Sequence, residues 1–361
     1  MKKSKICIIT PRSINDSPCL DKYREIIQEP FDIICWEKGG EKESCGANNT
    51  FRYTGFVPVE GGKLSKIKHY FLFTLFVKKH VKKNRYKKLI IFPTHMSWLL
   101  LNMLKHKYNG KYILDIRDYA GEEKTIIRKL TSAAVHHSGL CTITSPSYKV
   151  FLPNDVKYVV SHNLQSIDSE IINSYRKRNN KSNHPIVLSF IGTVRFLEQQ
   201  KRIITVFAND TRFVLQYIGR GSEALRNYCI QNNIKNVHLI GQFNRSELGR
   251  FYLDTDMAIN VYGNSDPALI YALSNKLYSA ALMGMPVICS PHTFTEKVVE
   301  KYKFGCSIDL SDPHCSDAVY EYYTSLDQNL LHKNCDKFIN DVKCDEKKYK
   351  ASIVKFITEN K

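Results

Sequence analysis

Short apolar runs alternate with helical segments along nearly the whole chain, and this alternation limits the fold more than any other feature. The runs of the first half are KICIITP, FDIICW, KLIIFPT, KYILDIRD, LCTITSP and KYVVSH. Those of the second half are IVLSFIG, FVLQYIG, NVHLIG, MAINVY, PVICS and CSIDL. Most are continuously apolar, as expected of parallel strands that are buried on both faces. The sequence therefore predicts an α/β protein with two doubly wound sheets side by side.

A polar stretch, SIDSEIINSYRKRNNKSNHP, separates the two sets of runs. It is rich in Asn, Ser, Lys and Arg and ends at a proline, which is typical of a linker. We predict a first domain over 1–165, a linker region over 166–184 and a second domain over 185–345. The remaining residues, 346–361, are predicted as a helix that could pack back on the first domain.

Composition and motifs argue against several classes of protein. Hydrophobic residues make up 43% of the chain and charged residues 24%, which is typical of a globular protein. No apolar run approaches the roughly 20 residues of a membrane-spanning helix, and the one near the N-terminus is too short for a signal peptide, so we expect a cytoplasmic protein. The chain lacks an early G-x-G-x-x-G, a P-loop motif and any C-x-x-C, so we predict neither a cofactor nor a metal site.

The net charge of +18 is concentrated in one segment, because Lys63–Lys88 holds ten Lys or Arg and no Asp or Glu. Its apolar side chains fall roughly on one helical stripe: Leu64, Ile67, Phe71, Leu75 and Val81. Lysines fill much of the other side, among them Lys78, Lys79, Lys82 and Lys83. A basic amphipathic helix suits an anionic membrane surface. A core-packed helix with a solvated lysine face remains the alternative, and nucleic acid is disfavoured because no binding module accompanies the charge.

The stretch ALSNKLYSAALMGMPVICSP predicts a helix that begins after Ser274, ends at Gly284 and leads into a buried strand. Ser274 suits an N-cap that accepts a hydrogen bond from a first-turn N–H group. Free backbone N–H groups beside Lys276 could hold an anion. An ordinary helix–strand unit without a ligand is the other interpretation.

Three stretches of the second half resemble the donor domain of GT-B-fold glycosyltransferases, most closely those of family 4. They are SFIGTVRFLEQQKR, NVHLIGQFNRSELGRFYLDTDMAINVY and ALSNKLYSAALMGMPVICS, in the family's order. The resemblance implies the GT-B architecture, in which two Rossmann-like domains face each other across a cleft. It also implies a nucleotide-sugar co-substrate and a metal-independent transfer that retains the anomeric configuration.

The resemblance places the donor diphosphate near the glycine turn at Gly192. Arg195 and Lys201 would neutralise the charge that the leaving nucleotide gains as the glycosidic bond breaks. Lys276 and the N–H groups of Ser274 and Asn275 would add to the same anion site. Taken without the resemblance, Arg195 and Lys201 could equally be solvated cations at the start of a helix.

The first half matches the family more loosely, through FPTHMSWLLLNML and YILDIRDYAGEE. A histidine in the position of His95 contacts the donor sugar in the family, although it could also be a satisfied loop histidine. Asp118 could orient or deprotonate an acceptor hydroxyl, and Arg117 could hold it through a salt bridge. At least one of Asp115, Arg117 and Asp118 is expected to be structural.

The chain departs from the family at two glutamates, which are replaced by Tyr271 and Ser279. In the family the second of these carboxylates binds the nucleotide ribose, and neither replacement can accept hydrogen bonds as a carboxylate does. Asp266 is the nearest acidic residue that could contact the ribose instead.

The sequence thus predicts a glycosyltransferase that moves a sugar from a nucleotide donor to a glycan acceptor, lipid-linked, in capsule, O-antigen or exopolysaccharide synthesis. We expect it at the inner face of the plasma membrane, attached peripherally. One alternative is a non-catalytic GT-B subunit that binds nucleotide-sugar or glycan and supports a partner enzyme. A GT-B sugar-nucleotide epimerase is a weaker one, because such an enzyme needs no basic membrane helix.

Overall fold

The computed structural model describes residues 4–37, 46–55, 63–178 and 184–359. The chain divides into two compact units, each built on one parallel β-sheet. Unit 1 comprises Met1–His162 and Asp345–Lys361, and unit 2 comprises Asn163–Cys344. The predicted fold class, α/β with two doubly wound sheets, is confirmed.

The sheet of unit 1 has seven strands in the order β3-β2-β1-β4-β5-β6-β7, and every neighbouring pair is parallel. Its strands are β1 Ile6–Thr10, β2 Phe31–Trp36, β3 Asn49–Tyr53, β4 Lys88–Ile91, β5 Tyr112–Ile116, β6 Leu140–Ile143 and β7 Tyr158–Val160. The helices that connect them are α1 Cys19–Ile26, α2 Lys63–Asn84, α3 Thr94–Lys107 and α4 Thr125–His136, with a 3₁₀ turn at Pro146–Val150.

The sheet of unit 2 has six parallel strands in the order β10-β9-β8-β11-β12-β13. Its strands are β8 Ile186–Ile191, β9 Phe213–Ile218, β10 Val237–Ile240, β11 Met257–Asn260, β12 Val287–Cys289 and β13 Gly305–Ser307. The strand order reverses between β8 and β11, which is where a doubly wound sheet opens a crevice for a ligand.

The helices of unit 2 connect its strands, with two 3₁₀ turns at Ser222–Leu225 and Arg245–Glu247. They are α5 Ser169–Arg176, α6 Leu197–Val206, α7 Arg226–Gln231, α8 Leu248–Leu253, α9 Pro267–Tyr271, α10 Asn275–Met283, α11 Phe294–Tyr302 and α12 Cys315–Thr324. The long last helix, α13 Gln328–Thr358, contains the boundary between the units.

Each of the predicted apolar runs contains all or most of a strand of one of the two sheets, whereas β3 was not predicted. β3 is an edge strand that pairs only with β2, and most of its side chains are half-buried. Its sequence, NTFRY, therefore lacks the continuous apolar character of a strand buried on both faces.

The region predicted as a linker, 166–184, contains helix α5. Asp168 caps this helix by accepting a hydrogen bond from the N–H of Glu170. Tyr175 is buried, and Ile171 and Ile172 pack against the same core of unit 2. The apolar residues of this stretch recur at helical spacing, so its first part is a packed helix, while 179–183 lie outside the described residues.

The end of α13 packs against unit 1, as the predicted return of the C-terminal helix requires. Tyr349, Ile353 and Phe356 are buried in the core that also contains residues of β1 and β2. Lys88, at the start of β4, donates hydrogen bonds to three carbonyls at the end of the helix, those of Phe356, Ile357 and Glu359. Lys88 thus caps a helix whose last carbonyls have no partner within the helix.

Helix α2 has one face in the core of unit 1 and another in solvent. Phe73, Val77 and Val81 are buried. Four apolar side chains of the predicted stripe are exposed by 47–83%, namely Leu64, Ile67, Phe71 and Leu75. The prediction that Val81 belongs to that stripe is wrong, because Val81 lies on the core face. None of the helices in the described part of the chain combines the length and apolarity needed to cross a membrane.

Candidate functional site

A cavity of about 310 Å³ lies in unit 2, at the carboxyl ends of its strands. It is bounded by the turns that follow β8, β9 and β10 and by the first half of α10, so it occupies the crevice at the reversal of strand order. The residues lining it from the β-strand turns are Ile191, Gly192, Thr193, Gly219, Arg220, Gln242 and Phe243. The remaining lining residues are Gln165, Leu248, Tyr252, Asn275, Lys276 and Ser279.

Two glycine turns form part of the cavity wall. Gly192 has φ 128° and Gly219 has φ 135°, a backbone conformation that favours glycine. A Cβ atom on Gly219 would lie 2.2 Å from the carbonyl oxygen of Gly192, so the two turns approach backbone to backbone. Position 219 therefore requires glycine both because a side chain would clash with Gly192 and because its φ is positive.

The N-terminus of α10 borders the cavity without a side-chain cap. Ser274 occupies the N-cap position, as predicted, but its hydroxyl donates to Oδ1 of Asn260 at 2.6 Å. The expectation that it accepts a hydrogen bond from the helix is therefore wrong. First-turn N–H groups without a side-chain cap, at the positive end of the helix dipole, favour an anion.

Lys276, in the first turn of α10, is buried with 6% of its surface exposed, and it lines the cavity. Its Nζ donates to the Tyr262 hydroxyl and lies 3.8 Å from the ring centroid of Phe190 and 4.7 Å from that of Tyr262. The rings hold the ammonium group without neutralising it. Among the described residues no carboxylate pairs with Lys276, and a buried charge of this kind calls for an anionic partner.

Ser279 is buried and lines the cavity one turn further along α10. Tyr252 also lines the cavity, and burial raises the pKa of its phenol well above its usual value, so this phenol is neutral. No Asp or Glu is among the residues that line the cavity in the described part of the chain. Neutral hydroxyls therefore stand where the resemblance placed a glutamate.

Four residues predicted at the donor site lie outside the cavity lining, namely Arg195, Lys201, Asp266 and Ser274. Arg195 is exposed, and Lys201 forms an ion pair with Glu198 at 2.7 Å. The exposed carboxylate of Asp266 accepts a hydrogen bond from the N–H of Ala268 at 2.8 Å and so caps α9. The predicted residues that line the cavity are Gly192, Asn275, Lys276 and Ser279.

Several lining residues were not predicted from the sequence, because they come from separate loops and from α8. Gln165 precedes α5, Gln242 and Phe243 follow β10, and Tyr252 belongs to α8. Arg220 lies between two glycines with positive φ immediately after β9. The letters GRG after an apolar run could have indicated this turn, because the turn at Gly192 has the same setting.

In unit 1, His95 and Asp118 both follow strands of the sheet. His95 lies in the first turn of α3, half-buried, with its ring edge-on to Tyr70 at 5.2 Å between centroids. Asp118 follows β5, is exposed, and pairs with Arg12 at 3.2 Å. Both belong to the same edge of the sheet, because β4 and β5 are parallel neighbours.

Asp115 and Arg117 form an ion pair near the end of β5. Asp115 is fully buried and accepts hydrogen bonds from Tyr23 at 3.0 Å, Thr142 at 2.9 Å and Arg117 at 3.2 Å. Burial is the largest single effect and would lower the pKa of the Arg117 guanidinium, but Asp115, Cys19, Tyr23 and Tyr349 together outweigh it, so the pKa is raised. These contacts stabilise the end of β5 from within unit 1, and the predicted contact of Arg117 with an acceptor stays a prediction.

Comparisons with known proteins identify the architecture. No protein-family model matches the chain, and a search of the curated proteins finds no match. Among solved structures, sucrose-phosphate synthase from Thermosynechococcus elongatus is 12% identical, with a TM-score of 0.73 over 98% of this chain and 99% of that one. The glycosyltransferase WaaG is 11% identical, with a TM-score of 0.63 over 98% of this chain and 100% of its own.

The HepE protein of Anabaena, solved in complex with UDP-glucose, is 11% identical, with a TM-score of 0.64 over 96% of this chain and 98% of that one. The chain has the GT-B fold. The predicted GT-B architecture is thereby confirmed, and at these identities the likeness is one of fold. Membership of family 4 is not confirmed, since no protein-family model matches this chain.

Proposed function

We propose that the protein is a glycosyltransferase that takes its sugar from a nucleotide-sugar donor. The observation that carries this proposal is the buried Lys276 beside the uncapped N-terminus of α10, both at the cavity of unit 2. A buried cation and a helix N-terminus together favour a ligand with a strong negative charge, such as a diphosphate. The HepE structures contain UDP or UDP-glucose, which supports a ligand of this class.

The same groups would assist the chemistry. As the bond between sugar and diphosphate breaks, negative charge grows on the leaving nucleotide, and preorganised cations and N–H groups stabilise it. Lys276, Asn275 and the backbone at Ser274 and Gly192 are the residues that we assign to this role. Because they supply positive charge themselves, we propose a metal-independent transfer. We also propose that it retains the anomeric configuration, following the family resemblance.

We assign the acceptor side to unit 1. His95 contacts the transferred sugar, and Asp118 orients or deprotonates the acceptor hydroxyl. Asp118 suits this role because it is exposed and its partner, Arg12, is also partly exposed, so a ligand can replace that ion pair.

The acceptor that we propose is a lipid-linked glycan, and helix α2 carries this part of the proposal. The exposed stripe of Leu64, Ile67, Phe71 and Leu75 continues along the same helical face as Lys78 and Lys82. Apolar side chains followed by lysines suit an anionic lipid surface, which offers both acyl chains and negative headgroups. We therefore place the protein peripherally on the cytoplasmic face of the plasma membrane, in the synthesis of a surface polysaccharide.

A panel of nucleotide-sugars, offered with and without lipid-linked glycan acceptors, tests the proposed activity. We expect one donor to release its nucleotide in an acceptor-dependent manner, and this release should be lost in the Lys276→Met variant. If no donor is consumed although the protein binds nucleotide diphosphates, the proposed catalytic activity is wrong.

A second candidate is a non-catalytic GT-B subunit that binds a nucleotide-sugar and supports a partner enzyme. The cavity favours it in one respect, because Ser279 replaces the family's ribose-binding glutamate and no acidic side chain lines the cavity in the described residues. Binding without turnover in the same assay is the result that would select this alternative.

A further inference from the structure

Arg220 lines the cavity of unit 2, and its role was not indicated by the predicted donor motif. It follows β9, whereas the predicted cations Arg195 and Lys201 belong to the segment after β8. Its side chain is exposed at the cavity wall rather than buried in the protein.

The backbone around Arg220 is held by the neighbouring glycine turn. Gly219 and Gly221 on either side have φ 135° and 91°. The carbonyl of Arg220 accepts a hydrogen bond from the N–H of Val194 at 2.9 Å, and the N–H of Gly219 donates to the carbonyl of Ile240 at 2.8 Å. Arg220 is therefore attached to a fixed part of the wall, and its guanidinium can be presented to a ligand with little loss of backbone freedom.

The charges at the cavity are unbalanced. Lys276 and Arg220 line it, no acidic residue does, and no carboxylate among the described residues pairs with either cation. Two like charges in one wall repel each other, and a ligand with at least two negative charges would remove that repulsion. A nucleoside diphosphate sugar carries about two negative charges, one on each phosphate, whereas a nucleoside monophosphate sugar carries only about one.

We propose that Arg220 binds the donor diphosphate together with Lys276, and that it makes the site select nucleoside diphosphate sugars over nucleoside monophosphate sugars. This inference rests on the proposed function of the cavity. A guanidinium can bind two phosphate oxygens at once, which gives Arg220 geometric selectivity that Lys276, a point charge, lacks. Arg220 is thus a specificity-determining residue that the GT-B resemblance does not assign.

Titration calorimetry with a nucleoside, its monophosphate and its diphosphate tests the proposal, for each of the common bases. The wild-type protein should bind the diphosphate at least tenfold more tightly than the monophosphate. Arg220→Ala should weaken diphosphate binding about tenfold to hundredfold, leave nucleoside binding within about twofold, and so reduce the selectivity. Arg220→Lys should show an intermediate loss. Arg226→Ala is the matched control, because Arg226 is an exposed arginine of the same unit that does not line the cavity.

Three results would overturn the assignment of Arg220. Diphosphate binding could remain unchanged in Arg220→Ala, the nucleoside could lose as much affinity as the diphosphate, or Arg195→Ala could cause the larger loss. The first would show that Arg220 makes no contact, the second that it contacts the base, and the third that the predicted motif supplies the cation. If the wild-type protein binds none of the nucleotides, the proposed function itself fails, and that result is distinguishable from the other three.

Discussion

At the scale of single residues, we propose that Ser279 limits how the nucleotide ribose can be held. A serine hydroxyl beside the neutral Tyr252 phenol offers hydrogen bonds without charge, where a glutamate would offer charge-assisted ones worth about 1.5–3 kcal/mol. We therefore predict less than a tenfold difference in affinity between ribose and 2′-deoxyribose nucleotides, and a mild effect of Ser279→Ala. Calorimetric titration of both nucleotides against the wild type and Ser279→Ala measures these affinities.

Asp266 is the residue that could contact the ribose instead of Ser279. Its carboxylate caps α9 and lies outside the cavity lining. Strong preference for ribose that disappears in Asp266→Asn would show that Asp266 contacts the sugar and would contradict the weak ribose contact.

At the residue scale, some members of the site could be predicted from the sequence and others could not. The sequence alone predicted the cap position of Ser274, the turn at Gly192 and the placement of Lys276, because each lies next to a boundary between a strand and a helix. The hydrogen bond from Ser274 to Asn260 and the ion pair of Lys201 were not, because both depend on which rotamer the packed neighbours allow. Arg220 and Tyr252 join the site only when separate loops meet.

At the scale of secondary-structure elements, the C-terminal end of α13 depends on Lys88. This lysine is buried and donates to three terminal carbonyls of the helix. Lys88→Met should lower the free energy of unfolding by about 1.5–3 kcal/mol, because hydrogen bonds from a charged donor are lost and the carbonyls at the end of the helix lose their partner. Denaturant unfolding measures the change. The adjacent Lys87→Met is the control, since Lys87 is exposed, and an equal loss in both variants would contradict the capping role.

Helix α2 gives the second prediction at this scale. Reversing Lys78, Lys79, Lys82 and Lys83 to Glu should release the protein from anionic liposomes, since each basic residue near such a surface contributes about 1 kcal/mol. Raising the salt concentration should weaken the binding of the wild-type protein as well, without abolishing the part that the apolar stripe contributes. Sedimentation with liposomes measures both effects.

A matched variant separates this local effect from net charge. Four exposed lysines of α13 can be reversed instead, namely Lys333, Lys337, Lys343 and Lys347. Equal release by both sets, or binding that ignores salt, would contradict docking through α2. Leu64→Ser with Phe71→Ser tests the apolar stripe separately and should weaken the binding that remains at high salt.

The elements that could be predicted are those with a strong local pattern. Continuous apolar runs marked the buried parallel strands, whereas β3 and α5 carry their apolar residues among polar ones and gain order from packing on a neighbour. The apolar residues of α2 could be recognised, but which of them face the core depends on the sheet beneath. Val81 and Leu75 therefore could not be assigned to opposite faces from the sequence alone.

At the scale of the whole molecule, we propose that donor and acceptor functions are divided between the two units, each of which has its own sheet and core. His95→Ala and Asp118→Asn should lower the rate of transfer at least tenfold, while the affinity for the free nucleotide changes less than about twofold. Turnover and calorimetry on the same preparations give both quantities. Nucleotide affinity that falls in parallel with turnover would contradict this division.

The central claim is that the cavity of unit 2 binds a nucleoside diphosphate through Lys276 and the N-terminus of α10. The most direct test is titration calorimetry of UDP, GDP and ADP against the wild-type protein and Lys276→Met. Lys297→Met serves as the control, because Lys297 is an exposed lysine of the same unit that lies outside the cavity lining. The account predicts that one diphosphate binds the wild type and the control alike, and that Lys276→Met binds it about tenfold to hundredfold more weakly. Equal affinity in all three proteins, or no binding of any diphosphate to the wild type, would contradict it.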